Sequence, residues 1–290
     1  MKVAVICLAY LGDPSGIYLL SKYFAHMDAH LFLHVDAKVP VEPYESLKNE
    51  PNVTLLPCRH EIFWGGFNTV RATVSAIEFA QEFGDFDRFV LTTEDSIPLV
   101  TPTELARGFA SDVDWIAIHA PNPQWVWQRY EKFFFLDSRA TSFRYFEVEE
   151  RSITEGDLSQ LDRMRQLAAE GKTELPEIYH GCGWWALTRE TIQTILDRHR
   201  SDNRLRESFE FSAIPEEQYF HTIIGMAEID RPRKHFMYVD WDRHDEIKPY
   251  IFSEREELRG VRKEHPDLLL VRKVSMHSEE VASFVDELLE

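Results

Sequence analysis

Cysteine is scarce in this chain: three in 290 residues, at positions 7, 58 and 182, with no Cys-x-x-Cys spacing. That gives no support to a disulfide framework or a structural zinc site, and the three are expected to be buried structural thiols. Long apolar runs are missing too. No stretch approaches the roughly 20 residues that cross a bilayer. Met1-Lys2-Val3-Ala4-Val5-Ile6-Cys7 runs straight into a strand pattern without a cleavage site, so the expectation is a cytosolic protein with no transmembrane segment. Glycine is sparse, 12 in all, and no Gly-x-Gly-x-x-Gly follows the first strand pattern; no Gly-x-x-x-x-Gly-Lys-Ser/Thr occurs anywhere. Dinucleotide-binding and P-loop readings thereby lose their main warrant. Positive charge is short as well: 32 Lys plus Arg against 50 Asp plus Glu leave a formal charge of −18, the wrong sign for nucleic acid as the main partner.

What the chain does have is apolar and aromatic content, 44% and 13%, enough for a sizeable core in one large domain or two closely joined halves. Short β-rich runs alternate with helical patterns: Val3–Ala9, then 17–27, 31–35, 53–56, 69–83 and Arg88–Thr93. Such alternation predicts βαβ units and a mainly parallel sheet, whose ligands lie beyond the carboxyl ends of the strands. Residues 69–83 form the clearest helix, with Val70, Val74 and Ile77 at helical spacing and Asn68 and Thr69 as candidate caps. The second half is more mixed. It offers an aromatic stretch at 125–135, a polar helix at 158–169, a strand-to-helix passage at 180–196, a strand at 238–241 and a closing helix at 278–289.

Several strand ends carry polar groups. Asp36 follows one strand inside His34-Val35-Asp36, and Glu94-Asp95 follows another. Adjacent carboxylates on an extended chain point to opposite faces, so Glu94 and Asp95 make a poor shared cation site. Asp95 reads better as an acceptor for sugar hydroxyls, or as a helix cap. Phe63-Trp64-Gly65-Gly66-Phe67 joins two glycines, which permit close backbone approach, to aromatics that can cover a ligand or plug the core. Trp184 and Trp185, after His180-Gly181-Cys182-Gly183, can stack on sugars or fill the interior, ahead of a helix capped by Thr188. In Pro215-Glu216-Glu217 a proline opens a helical turn followed by two acids. Either acid can serve as a base, periodicity does not choose between them, and the helix dipole explains both without any chemistry. Residues 231–273 gather 11 Lys plus Arg against 9 Asp plus Glu, which suits an anion site or a solvated loop; Arg272-Lys273 closes that segment.

Taken in order, five segments resemble the core-2/I-branching enzyme family, a group that includes branching β-1,6-N-acetylglucosaminyltransferases and protein xylosyltransferases. They are His34-Val35-Asp36; Phe63 to Val70; Phe86 to Leu99; Gly183-Trp184-Trp185 through Glu190; and Pro215-Glu216-Glu217-Gln218-Tyr219-Phe220. The resemblance spans most of the chain. It implies a GT-A-type, Rossmann-like α/β fold, with a mainly parallel central sheet and helices on both faces, as one glycosyltransferase domain over 1–290. Residues 1–110 would bind the nucleotide sugar, and 111–290 the acceptor and catalytic base. It further implies a UDP-sugar donor, with N-acetylglucosamine or xylose, inversion at the anomeric carbon, and no metal or other cofactor.

The family's Pro-Asp-Glu motif places its base at Glu217. Its late Phe-Ala-Arg-Lys-Phe motif is similar to Leu270-Val271-Arg272-Lys273-Val274, whose lysine would contact the diphosphate. The donor would thus be held by His34, Asp36, Trp64, Gly65, Asp95, Arg272 and Lys273, and the acceptor by Arg129, Tyr130, Trp184, Trp185 and Trp241. A second phosphate-binding arginine is missing where Met237 precedes Tyr238-Val239-Asp240-Trp241; Arg233 or Lys234 is the candidate replacement. The acceptor expected is a glycan or a lipid-linked saccharide, the latter leaving room for peripheral membrane association. Rival readings are a metal-dependent transferase using Glu94 and Asp95, and a non-catalytic glycan-binding protein.

Overall fold

The computed structural model describes residues 1–119, 121–138, 141–144, 147–150, 155–227, 229–243 and 249–290, of which 141–144, 147–150, 155 and 156 are described by backbone alone. The chain opens with β1 (Val3–Ala9), α1 (Ser15–Phe24), β2 (Ala29–Val35), a 3-10 segment (Glu42–Asn49), β3 (Val53–Leu55), α2 (Asn68–Phe83) and β4 (Arg88–Thr93). Next come β5 (Ser96–Pro98), α3 (Pro102–Ala110), β6 (Asp114–Trp115), α4 (Gln124–Glu131), β7 (Thr141–Arg144), β8 (Glu147–Glu150) and α5 (Glu155–Glu170). Then follow β9 (Trp185–Thr188), α6 (Arg189–Ser201), α7 (Asn203–Glu210), a 3-10 turn (Pro215–Glu217) and α8 (Tyr219–Met226). The chain closes with β10 (Arg233–Lys234), β11 (Met237–Val239), α9 (Arg255–Glu264), β12 (Leu270–Arg272) and α10 (Glu279–Leu289).

Seven strands form the main sheet in the order β10-β6-β9-β4-β1-β2-β3. Four of its pairings are parallel; β9 alone runs antiparallel to both neighbours. The expected α/β architecture, mainly parallel with helices on both faces, is therefore the one observed. Along β1, Val3, Val5, Cys7 and Ala9 face a core that includes residues of α1, α9 and α10. The alternate residues Ala4, Ile6 and Leu8 face a second core with α2, α6 and α8. Both faces being covered, β1 reads as an unbroken apolar run rather than an alternating one. Burying each such side chain is worth about 1.5–3 kcal/mol, which makes this strand the centre of the fold.

A smaller sheet, β11-β12-β5, is joined to the main one through Glu94 and Asp95, the two residues between β4 and β5. The antiparallel register sets Arg272 opposite Ser96, so the end of β12 comes beside Asp95. Behind β4, Arg88 is almost fully buried and donates to the carbonyls of Phe109, Ser111, Val113 and Ala186. Burial pulls its guanidinium down to about 10, against the upward pull of Asp114. A buried ion costs several kcal/mol, and charge-assisted hydrogen bonds of about 1.5–3 kcal/mol each offset it. These bonds tie β4 to β9 and to the end of α3, which fixes where Glu94 and Asp95 emerge.

Several local expectations change. The α2 helix has Phe67 at its N-cap with no side-chain cap; instead Asp137, from a distant segment, accepts the Asn68 amide N–H at 2.9 Å. Pro215 opens a short 3-10 turn, and the α-helix begins only at Tyr219. Thr188 caps α6 as expected, accepting from the Thr191 N–H. Cys7 is buried and Cys182 half-buried, but Cys58 is exposed, against the expectation of buried thiols. Among the described residues no helix is long and apolar enough to cross a membrane.

Candidate active site

At the carboxyl ends of β1 and β4 the polar side chains are tightly paired. Glu94 is fully buried; its carboxylate accepts the backbone N–H groups of Tyr10 and Leu11 and the Tyr44 hydroxyl, the last at 2.8 Å. Burial pushes its pKa up, although these bonds pull it back. Asp95 points elsewhere. It accepts from the Tyr10 hydroxyl (2.7 Å), the Thr93 hydroxyl (2.5 Å) and Arg272 Nε (3.1 Å). Burial pushes the Asp95 carboxyl up, but Arg272 and the two hydroxyls outweigh it and hold the pKa below the usual carboxylate range. The two acids thus face apart, as expected for neighbours on an extended chain. Among the described residues, no three His, Cys, Asp or Glu side chains gather closely enough to hold a metal ion.

Arg272 lies over the Trp184 ring, 4.7 Å from its centroid, and also reaches the Tyr10 hydroxyl at 3.2 Å. Lys273 follows at the strand's end. Its ammonium is pushed down by burial and by Arg272, with Asp95 pulling the other way, and among the described residues it has no ion-pair partner. The parallel register Val239↔Arg272 brings Trp241, two residues past β11, to this same end; it is 58% exposed. Arg233 and Lys234 do not substitute for the missing arginine. They lie on β10 at the far edge of the main sheet, three strands from β4, where Arg233 donates to the Ile224 carbonyl and Lys234 covers the Trp115 ring.

The catalytic candidate stands on the Pro215–Glu217 turn. Ile214, just before it, sits in the left-handed region (φ +52°), strained for a β-branched residue. Its N–H is held by the Gly65 carbonyl at 2.9 Å, so the Gly65-Gly66 loop buttresses this turn. Gly65 itself has φ +78°, which favours glycine. A Cβ on Gly66 would come within 2.0 Å of Asp137 Oδ1. The Glu217 side chain is 37% exposed and pairs with Arg129 at 2.9 Å. Burial raises its pKa while Arg129 opposes the rise. Arg129 in turn lies over Trp125, 4.6 Å from the ring centroid. Glu216 turns inward: one of its oxygens is buried without a hydrogen bond, and burial, then Glu217, push its pKa to about 8.

Residues 181–184 join the two ends. The Gly181 N–H donates to the Glu217 carbonyl (3.0 Å), and a Cβ there would lie 1.7 Å from the Ala117 carbonyl oxygen. A Cβ on Gly183 would touch Glu216 Cγ at 3.6 Å, while Trp184 next to it carries Arg272. Between them, burial raises the Cys182 thiol pKa and the Trp184 N–H lowers it; Glu217 adds to the rise and Arg272 counters it, so both charges act on this one residue. The segment 181–184 thus has the Glu216–Glu217 turn on one side and Arg272 on the other.

Four other residues singled out from sequence are buried. His34 is fully buried, its Nε2 taking the His60 N–H at 2.8 Å. Tyr130 is 2% exposed and donates to the Thr173 carbonyl, and Trp185 is fully buried against Phe220. Both aromatics belong to the α2/α6/α8 core, whereas Trp184 is only partly buried and carries Arg272 on its ring. Asp36 is buried and tied to Lys38 at 2.6 Å, and Lys38 covers Phe63; this braces the loop that leaves Trp64 64% exposed. Sequence reasoning missed Tyr10, Tyr44 and Asp137. The first was within reach, since it directly follows β1 where ligands of such sheets lie. Nothing near Asp137 in sequence marks its role under the Gly66 loop.

The fold is of the α/β class with a mainly parallel sheet, and a half-exposed carboxylate and a basic pair lie towards the carboxyl ends of its strands, where ligands of such sheets bind. More narrowly, the chain belongs to the Core-2/I-branching enzyme family, whose profile matches residues 3–259. Arg272 and Lys273 fall beyond that match. The chain is similar to the xylosyltransferase sqv-6 of Caenorhabditis briggsae, 22% identical over 217 residues. It is also similar to a xylosyltransferase of Ciona intestinalis, 21% identical over 218. Each alignment takes in 72% of this chain and only 23% of the relative, so the chain spans about a quarter of the length of these relatives. Among solved structures, the apo-form glycosyltransferase GlyE of Streptococcus pneumoniae aligns with a TM-score of 0.32 and 11% identity, over 99% of this chain and 60% of that one.

Proposed function

We propose that the chain is an inverting glycosyltransferase of GT-A type, acting in the cytosol. It moves N-acetylglucosamine or xylose from UDP to a hydroxyl of a glycan or lipid-linked saccharide, with basic side chains in place of a divalent ion. Glu217 is the base. As its carboxylate takes the hydroxyl proton, the acceptor oxygen bonds to the anomeric carbon from the face opposite UDP. The bond from that carbon to the diphosphate oxygen breaks, and Lys273, supported by Arg272, balances the charge on the leaving group. Glu217 suits the role because Arg129 orients it, a fair part of it stays exposed, and burial shifts its pKa towards neutrality. Lys273 suits its own because no carboxylate among the described residues neutralises it, whereas Arg272 is already paired with Asp95.

The observation that carries this reading is the 181–184 segment, which touches Glu216 and Glu217 on one side and Arg272 on the other. Calorimetric titration with a panel of UDP-sugars, with and without EDTA, tests it. Binding and turnover that survive the chelator, together with weaker UDP binding by Lys273→Ala, are expected. Turnover abolished by EDTA would transfer the role to a metal-dependent mechanism at Glu94 and Asp95. Glycan binding without UDP binding would leave a non-catalytic module.

A further inference from the structure

A small pocket of about 20 Å³ lies away from this site, lined by Phe133, Glu170, Lys172, Thr173, Arg204 and Glu207 among others. Its floor is unusual. The Lys172 amine is buried and has no hydrogen-bond partner among the described residues, and the Thr173 hydroxyl beside it has none either. Tyr130 and Phe133 flank the amine, their ring centroids 5.1 and 4.6 Å away. Unpaired buried ammonium groups are expensive, so such a lysine sheds its proton readily. Burial alone pulls its pKa down to about 7, with no carboxylate holding it up, so near neutral pH much of it is free amine. Glu207 lines the same pocket but is engaged by Arg163 at 3.2 Å. Arg204 lines the pocket as well.

The geometry points to Lys172 as a carbamylation site for carbon dioxide, with Thr173 and Arg204 receiving the new carboxylate. The amine nitrogen bonds to the carbon of CO2, one C=O electron pair moves onto oxygen, and the nitrogen proton leaves to water: R–NH2 + CO2 → R–NH–COO⁻ + H⁺. No oxidant, reductant or second reactant is required. The pocket exceeds the roughly 10–15 Å³ that a single water needs, room for a small triatomic molecule beside the amine. A neutral buried amine becomes an anion that a hydroxyl donor and a guanidinium can satisfy.

The test is to equilibrate the intact chain with 13C-bicarbonate, trap carbamates with triethyloxonium, and map the label by peptide mass spectrometry. Label concentrated on the Lys172 peptide, rising as pH passes through neutrality and falling several-fold in Thr173→Val and in Arg204→Gln, supports the site. The two variants matter because each removes a receiver of the carboxylate and leaves the amine in place. Label spread over the lysines in proportion to exposure, or none on Lys172 while competitive acetylation shows its amine to be reactive, overturns it. An amine unreactive even to acetylation overturns it equally, since it would show Lys172 to be closed to small electrophiles.

Discussion

The two ends of the site satisfy their polar groups to very different degrees. Around Asp95 both carboxylate oxygens are taken up by Tyr10, Thr93 and Arg272, and Glu94 is equally engaged. Around Glu217, by contrast, Glu216 Oε2, Asp137 Oδ1 and both amide atoms of Gln218 are buried without a hydrogen bond among the described residues. A buried group left unpaired costs about 1–3 kcal/mol, so this turn stores more instability than the donor end, where Thr92 Oγ1 and His34 Nδ1 are the buried atoms without a partner. The strained φ of Ile214 adds to it. Such strain collects at functional sites, and the contrast agrees with the roles proposed for the two ends, chemistry at the 214–218 turn and rigid support around Asp95.

That contrast breaks most sharply at Glu217. Glu217→Gln is expected to lower turnover by about 10² or more, the usual scale of a lost general base, while UDP affinity by calorimetry stays within about two-fold. Near wild-type turnover would remove the distinction between the ends. Next in size is Gly181→Ala. Its Cβ would collide with the Ala117 carbonyl, and overpacking of this kind destabilises by about 1–3 kcal/mol, read as a lower thermal midpoint. Because the Gly181 N–H holds the Glu217 carbonyl, turnover should fall further than stability alone explains; equal losses would detach the bridge from the base. At the rigid end, Arg272→Lys keeps the charge but loses the fork over Trp184 and towards Asp95. An effect of about 1 kcal/mol on UDP affinity is expected, and a drop as large as that of Lys273→Ala would contradict the division of labour between the two cations.

How much of this was legible beforehand follows from what kind of contact each feature needs. The strands β1, β2 and β4 declared themselves because both faces are buried and their apolar runs are continuous. The antiparallel entry of β9 did not, since nothing in Trp185-Ala186-Leu187-Thr188 encodes its direction. Arg272 stood out in sequence as half of a basic pair, yet its pairing with Asp95 spans 177 positions and emerges only from the β5–β12 register. The two tryptophans at 184 and 185 look alike in sequence, but only Trp185, the first residue of β9, is fully buried, while Trp184 just before the strand stays partly buried under Arg272. Choosing Glu217 over Glu216 needed the family motif. Geometry then separates them, one carboxylate half-exposed on Arg129 and the other with a buried, unpaired oxygen.

Glu216 provides the smallest and most specific test. Its folded pKa of about 8 lies above the ordinary 4.5, so the native state binds the extra proton between those values and the unfolded chain does not. Stability contributed by that protonated carboxyl is fully present below about pH 4.5 and is lost as pH rises towards 8. Glu216→Gln keeps the shape and cannot ionise. Relative to wild type, the variant should therefore gain stability steadily across that window, by at most about 1.4 kcal/mol per pH unit, and show little difference below it. Denaturation midpoints measured at several pH values supply the comparison. Asp137, raised to about 7 by the same burial, predicts a parallel but earlier plateau for Asp137→Asn, although loss of its carboxylate also weakens the start of α2. A flat difference for Glu216→Gln would mean that its carboxylate is hydrated in solution, and the turn would then hold no stored strain from this residue.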